Sequence, residues 1–202
     1  EAERIKWREG WDKHMNVSAD RVIAACRRKR EYTDVFDLIG EDWKVSSNEF
    51  NKISHALYFE QKAIAREQII HAMGNRELHI VGIGSAKTDR KNIIFHPGRQ
   101  WYDLSLLFCS SNINLNLTPW PRSCHHRVFQ ITASRGFVIT DWREDAIELF
   151  EPGKEAIYFK SLQELPDLID RYANSSKERN KIALAFILLT PILETGTGLV
   201  II

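Results

Sequence analysis

The sequence predicts an α/β domain, a Rossmann-like open parallel sheet with an N-terminal helical extension. Up to Gly74 apolar residues recur at helical spacing; beyond it, short apolar runs alternate with helix-length amphipathic stretches. Strands separated by helices at this spacing are joined by right-handed crossovers, which makes them parallel. The length of 202 residues suits one such domain with a real core plus an extension, and is too short for a second complete domain of similar size. The expected bounds are 1–74 for the extension and 75–202 for the sheet domain.

In the extension, helical periodicity runs from Ser18 to Arg30 and from Asn48 to Met73, where Ile53, Leu57, Ile64, Ile69 and Ile70 recur with charges between them. Gly74-Asn75 supplies the stop. Trp7, Trp11 and Trp43 have no companion motif and read as packing residues. Strands are then expected at Leu78–Val81, Ile93–Phe95, Ile113–Leu117, Phe137–Ile139 and Ala156–Phe159, with helices at Trp101–Ser110, Arg127–Ser134, Ala146–Phe150 and Leu162–Ala173. The apolar run Ile182–Leu193 is about half the length that spans a bilayer and ends in Pro191 and Glu194, so it reads as a packed helix. In the common strand order 3-2-1-4-5, the order reverses between the first strand (78–83) and the fourth (137–140). Ligands of such sheets bind there, beyond the carboxyl ends of the strands. The loops facing that crevice are Gly82–Lys87, Thr118–His126 and Thr140–Asp145.

Charge and cysteine usage exclude several classes. A net charge of +1 argues against a surface built for a nucleic-acid backbone, which needs many phosphate-neutralising cations. The run Arg27-Arg28-Lys29-Arg30 reads as a solvated helix end. Cys26, Cys109 and Cys124 form neither an even set nor a CxxC pair, as expected of free thiols in a reducing cytoplasm. The charged start holds no signal peptide, and no segment qualifies as a transmembrane span. The chain begins at Glu1 and stops on the apolar Leu199-Val200-Ile201-Ile202, which suggests a piece of a longer protein.

Three segments carry possible chemistry. Gly82-Ile83-Gly84-Ser85 follows a strand with two glycines, where Gly84 and Ser85 serve either a tight turn or a phosphate contact; with Lys87 at the third glycine position it is not the dinucleotide fingerprint. In Thr118–Arg127 two prolines stiffen a loop that delivers Ser123, His125, His126 and Arg127 to a helix start. Amide groups and the helix dipole there favour an anion, and Arg127 adds a bidentate donor. The alternative is a polar cap with the arginine in a salt bridge. No third ligand accompanies the adjacent histidines, so no metal site is expected. Thr140-Asp141 ends the fourth strand, and Glu144 and Asp145 begin the next helix. These carboxylates either cap that helix or accept hydrogen bonds from sugar or ribose hydroxyls.

The segments NINLNLT (Asn112–Thr118) and HRVFQITASRGFVITDWREDAIELFEPGKEAIYFKSLQEL (His126–Leu165), with the helix around Lys177-Glu178-Arg179, resemble the C-terminal region of CgeB-like glycosyltransferases. These form a bacterial and phage branch of the retaining GT-B superfamily. The likeness runs from Asn112 to about Ala183. It implies a GT-B half-domain that binds a nucleotide diphospho-sugar donor without cofactor or metal and transfers the sugar to a glycan, lipid or protein acceptor. Carried over position by position, it places Arg127 and the loop before it, with His125 and His126, at the phosphates, and Arg127 and Glu144 at the reaction. Gln130 stands where many GT-B relatives have a ribose-binding glutamate; it still hydrogen-bonds a diol but lacks the charge. Thr140, Asp141, Glu144 and Asp145 fall beside the donor sugar. The acceptor-side N-terminal domain of GT-B enzymes has no counterpart in the 74 residues before the first strand.

Overall fold

In a computed structural model, residues 63–82, 89–118 and 123–189 are described. The expectations for the first 62 residues, for Gly84 and Ser85, and for the tail beyond Leu189 lie outside the described residues. Residues 63–72 are helical (α1) and turn at Gly74, whose φ of 56° suits a residue without a Cβ. β1 (Leu78–Val81) and β2 (Ile93–His96) then pair in parallel, Leu78 opposite Ile93. Asn92 Nδ2 donates to the carbonyls of Gly74 and Arg76 at 3.1 and 2.7 Å, tying the start of β2 to the end of α1. A 3₁₀ turn at Trp101–Asp103 leads into α2 (Leu104–Ser110).

The rest is β3 (Asn114–Asn116), α3 (His126–Ala133), β4 (Val138–Asp141), α4 (Glu144–Leu149), β5 (Ile157–Phe159), α5 (Leu165–Ala173) and α6 (Ser176–Leu189). Strand follows helix as the sequence predicts, and every described ladder is parallel. α5 begins three residues later than expected, with a proline in its first turn, where the missing N–H costs nothing. α6 carries the described part of the apolar run, with Ile182 and Ala183 buried. No helix among the described residues is long and apolar enough to cross a membrane.

The strand order corrects the expected 3-2-1-4-5. β3 pairs directly with β4, and β4 with β5, while β1 and β2 form a separate ladder. Among the described residues the first and fourth strands are therefore not neighbours. Side chains set the β3–β4 neighbourhood: Asn114 Nδ2 donates to the carbonyls of Phe108 (2.9 Å) and Phe137 (3.1 Å), and Asn116 Nδ2 to Thr140 Oγ1 (2.9 Å). Both asparagines are buried, and these bonds require β4 alongside. Gly136 permits the approach, because a Cβ there would lie 2.8 Å from the Phe108 carbonyl oxygen and 3.0 Å from Asn114 Nδ2.

Both faces of this ladder are covered, as parallel sheets require. Phe137, Ile139, Ile157 and Phe159 point into a core with Ile69 and Met73 from α1 and its C-terminal turn, Leu165, Ile169 and Tyr172 of α5, and Ile182 and Ala183 of α6. Val138 and Ala156 face Phe108 of α2, Val128 and Ile131 of α3, and Phe150. Each fully buried apolar side chain contributes about 1.5–3 kcal/mol. α1, which precedes the first strand, is thus part of the main core. Packed this way, the carboxyl ends of β3 and β4 lie side by side, and the loops leaving them share one edge of the sheet.

Candidate functional site

At that edge, four side chains and one backbone amide form a buried polar network. Asn116 donates to Thr140 Oγ1, which donates to Asp141 Oδ1 at 3.2 Å. The same oxygen accepts the Thr118 N–H at 2.9 Å. Asp141 Oδ2 lies 2.7 Å from an Arg143 guanidinium nitrogen. Asn116, Thr118, Thr140, Asp141 and Arg143 are all buried. A carboxylate is tolerated at such depth only when paired and hydrogen-bonded, and here the Arg143 charge and two donors supply both. Among the described residues, Asn116 Oδ1 and Thr118 Oγ1 are buried without a hydrogen-bond partner, and Asp141 Oδ2 meets Arg143 as an ion pair without hydrogen-bond geometry.

The next element along the chain is the start of α3. His125 is its N-cap in extended conformation, and its Nδ1 accepts the Arg127 N–H at 3.2 Å. The Val128 N–H goes to the His125 carbonyl at 2.9 Å. Two amides of the first turn are thus used by the cap itself, so the amide-lined cradle expected from the sequence is narrower. The rings of His125 and His126 lie 4.3 Å apart. Arg127 is exposed and has no carboxylate partner among the described residues. Protein crowds its guanidinium, and this desolvation, followed by the positive charge of Arg66 on α1, lowers its pKa from the ordinary arginine value. A cation held near another cation, at the positive end of a helix, is set for an anion. Gln130 follows one turn along, partly exposed.

The α4 start lies close to this region. Glu144 and Asp145 are both exposed in its first turn, and the N-cap Arg143 makes no side-chain cap bond. The two carboxylates therefore complement the helix dipole without capping it. Cys124, just before α3, has its thiol pushed up to about 11, first by burial, then by the charges of Asp145 and Asp141. Trp142 turns its ring to Lys160, whose ammonium sits 4.3 Å from the centroid, and meets Tyr158 edge-on. Tyr158 donates to the carbonyls of Ala146 and Phe150 at 2.8 and 3.0 Å, and burial raises its pKa.

Of the residues singled out by sequence, Thr140, Asp141, Glu144, Asp145, His125, His126, Arg127 and Gln130 all belong to elements that end or begin at this edge. Thr140 and Asp141 are buried within it; Glu144, Asp145, His126 and Arg127 are exposed. Sequence reasoning did not single out Asn116, Arg143 or Arg66, and it named Thr118 only as the start of a loop. The signal for the first was a pair of asparagines alternating inside an otherwise apolar strand; nothing local marked Arg66. Among the described residues no group of three or more His, Cys, Asp or Glu converges on a point that would hold a metal ion.

A sequence profile of the glycosyl transferase-like family matches residues 61–188, which spans every element from α1 to α6. The chain belongs to that family. Neither the curated proteins nor the solved structures yield a match.

Proposed function

We propose that this glycosyl transferase-like domain is the donor-binding half of a GT-B glycosyltransferase, which holds a nucleotide diphospho-sugar at the shared edge of β3 and β4. The observation that supports it is Arg127: an arginine in the first turn of α3, exposed as a residue while protein crowds its guanidinium, without a carboxylate partner among the described residues and with Arg66 nearby. Such a group gains most from a pyrophosphate, which brings two negative charges and bidentate oxygens. His126 borders the same group, and His125 fixes the helix start that presents it. Gln130 is assigned to the ribose hydroxyls, Glu144 and Asp145 to the donor sugar, and Gly84 and Ser85 to a phosphate contact. Thr140 and Asp141 form the floor.

Transfer breaks the bond between the anomeric carbon and the diphosphate oxygen and forms one to the acceptor oxygen, whose proton is released. Arg127 stabilises the charge that collects on the leaving diphosphate, while Glu144 lies on the sugar side. The acceptor is a glycan, lipid or protein hydroxyl, and a separate acceptor-side domain completes the cleft. The unit that binds the donor is assigned to residues 75–202, with 1–74 as its extension. Isothermal titration with UDP-, GDP-, TDP- and CMP-sugars tests the reading. Binding of one of them to the wild-type chain, weakened in Arg127→Ala, is the expected result; no binding by any would end it. Gln130, in place of the ribose-binding glutamate, favours a second reading as a non-catalytic nucleotide-sugar-binding or scaffolding module. That reading expects binding without turnover when an acceptor-side domain is supplied.

A further inference from the structure

Asp141 falls beside the donor sugar when family positions are carried over, but its surroundings give it a different part. Both carboxylate oxygens face partners inside the protein: Oδ1 accepts from the Thr118 amide (2.9 Å) and the Thr140 hydroxyl (3.2 Å), and Oδ2 is held by the charge of Arg143 (2.7 Å), an ion pair without hydrogen-bond geometry. The residue is only 5% exposed. A carboxylate so committed has little left to offer a hydroxyl outside. Its partners, however, come from two different connections. Thr118 lies just beyond β3, where the chain sets out toward α3 and Arg127; Arg143 is the N-cap of α4, whose first turn carries Glu144 and Asp145. We infer that Asp141 is a positioning residue, a tie that fixes the base of the loop delivering Arg127 against the turn delivering Glu144 and Asp145. The inference rests on the donor-site reading for its functional consequence, although the tie itself is a matter of geometry.

The chemistry of substitution separates this role from sugar contact. Asparagine at 141 still offers an oxygen to the Thr118 amide and the Thr140 hydroxyl, whereas it loses the charge facing Arg143. Alanine removes every contact and leaves a buried guanidinium without its carboxylate. Three measurements on Asp141→Asn and Asp141→Ala test it: amide exchange at Thr118, with Ile139 in β4 as reference; thermal melting; and titration with UDP, GDP and TDP, each with and without its sugar. In Asp141→Ala, exchange at Thr118 rises at least about tenfold relative to Ile139, the consequence of losing one charge-assisted bond. Affinity for nucleotide and nucleotide-sugar falls by the same factor; Asp141→Asn keeps Thr118 protected but, without the charge that holds Arg143, recovers only part of the affinity. A loss confined to the sugar-bearing ligands would make Asp141 a sugar contact and overturn the proposal. So would unchanged Thr118 exchange in Asp141→Ala or, should that variant fail to fold, released Thr118 in Asp141→Asn. If no nucleotide binds even the wild-type chain, the donor-site reading falls, whereas the Thr118 exchange still decides whether the tie exists.

Discussion

Replacing Arg127 by alanine separates a binding arginine from a structural one, because the two predict opposite balances between stability and affinity. A structural arginine is paired, and its loss costs stability. Arg127 is exposed, has no carboxylate partner among the described residues, and sits where desolvation and Arg66 both disfavour its charge. Removing it relieves a repulsion at the positive end of α3, so the melting temperature should hold or rise by about a degree, as expected for surface changes within ±0.5 kcal/mol. With a pyrophosphate present the sign reverses. Hydrogen bonds to charged groups contribute about 1.5–3 kcal/mol, so Arg127→Ala should weaken a bound nucleotide diphospho-sugar by roughly 10- to 150-fold. Arg66→Ala should weaken it less, about three- to tenfold, through loss of one screened charge. Isothermal titration at two salt concentrations, beside a thermal melt of each variant, reads both quantities. A melting temperature several degrees lower with affinity unchanged would refute the assignment of Arg127 to an anion.

Other predictions follow from local geometry. Gly136→Ala would set a Cβ 2.8 Å from the Phe108 carbonyl oxygen and 2.9 Å from the Ile131 methyl, so it should destabilise the fold by about 1–3 kcal/mol in urea unfolding; a neutral change would mean β3 and β4 are not so closely apposed. Arg135 holds φ 59° at the end of α3, where its N–H bonds Thr132 O (3.0 Å) and the Gly136 N–H bonds Ile131 O (2.8 Å), the Schellman arrangement. Glycine adopts this conformation freely, so Arg135→Gly should stabilise by about 1 kcal/mol, visible as a melting temperature about 2–4 °C higher. For Cys124, a raised value of about 11 means the thiol stays protonated as pH rises through the usual thiol range, with the thiolate accumulating only near pH 11. Alkylation followed by peptide mass spectrometry at pH 8.5 should label exposed Cys109 well before Cys124, whose thiolate fraction there is about one in three hundred. Equal rates at that pH would show Cys124 to be open to solvent.

The order of elements was legible in the sequence because it is a local property. Runs such as Leu78–Val81 and Phe137–Ile139 are apolar over strand lengths and stand between amphipathic stretches, and a chain with that alternation folds into parallel strands with crossing helices. The residues at the loop ends, from His125 to Gln130 and from Thr140 to Asp145, were legible for the same reason: strand termini and helix starts announce themselves by composition. Pairing was not. Periodicity is silent on which strand lies beside which, and the neighbour of β4 proved to be β3, held by Asn114 and Asn116 reaching partners more than twenty residues away in the chain. The role of Asp141 was equally out of reach, since a carboxylate at the end of a strand reads the same whether it faces a ligand or an arginine two residues on. Only the packed structure decides that, because burial removes the water that would otherwise satisfy the carboxylate and obliges it to find its partners within the protein.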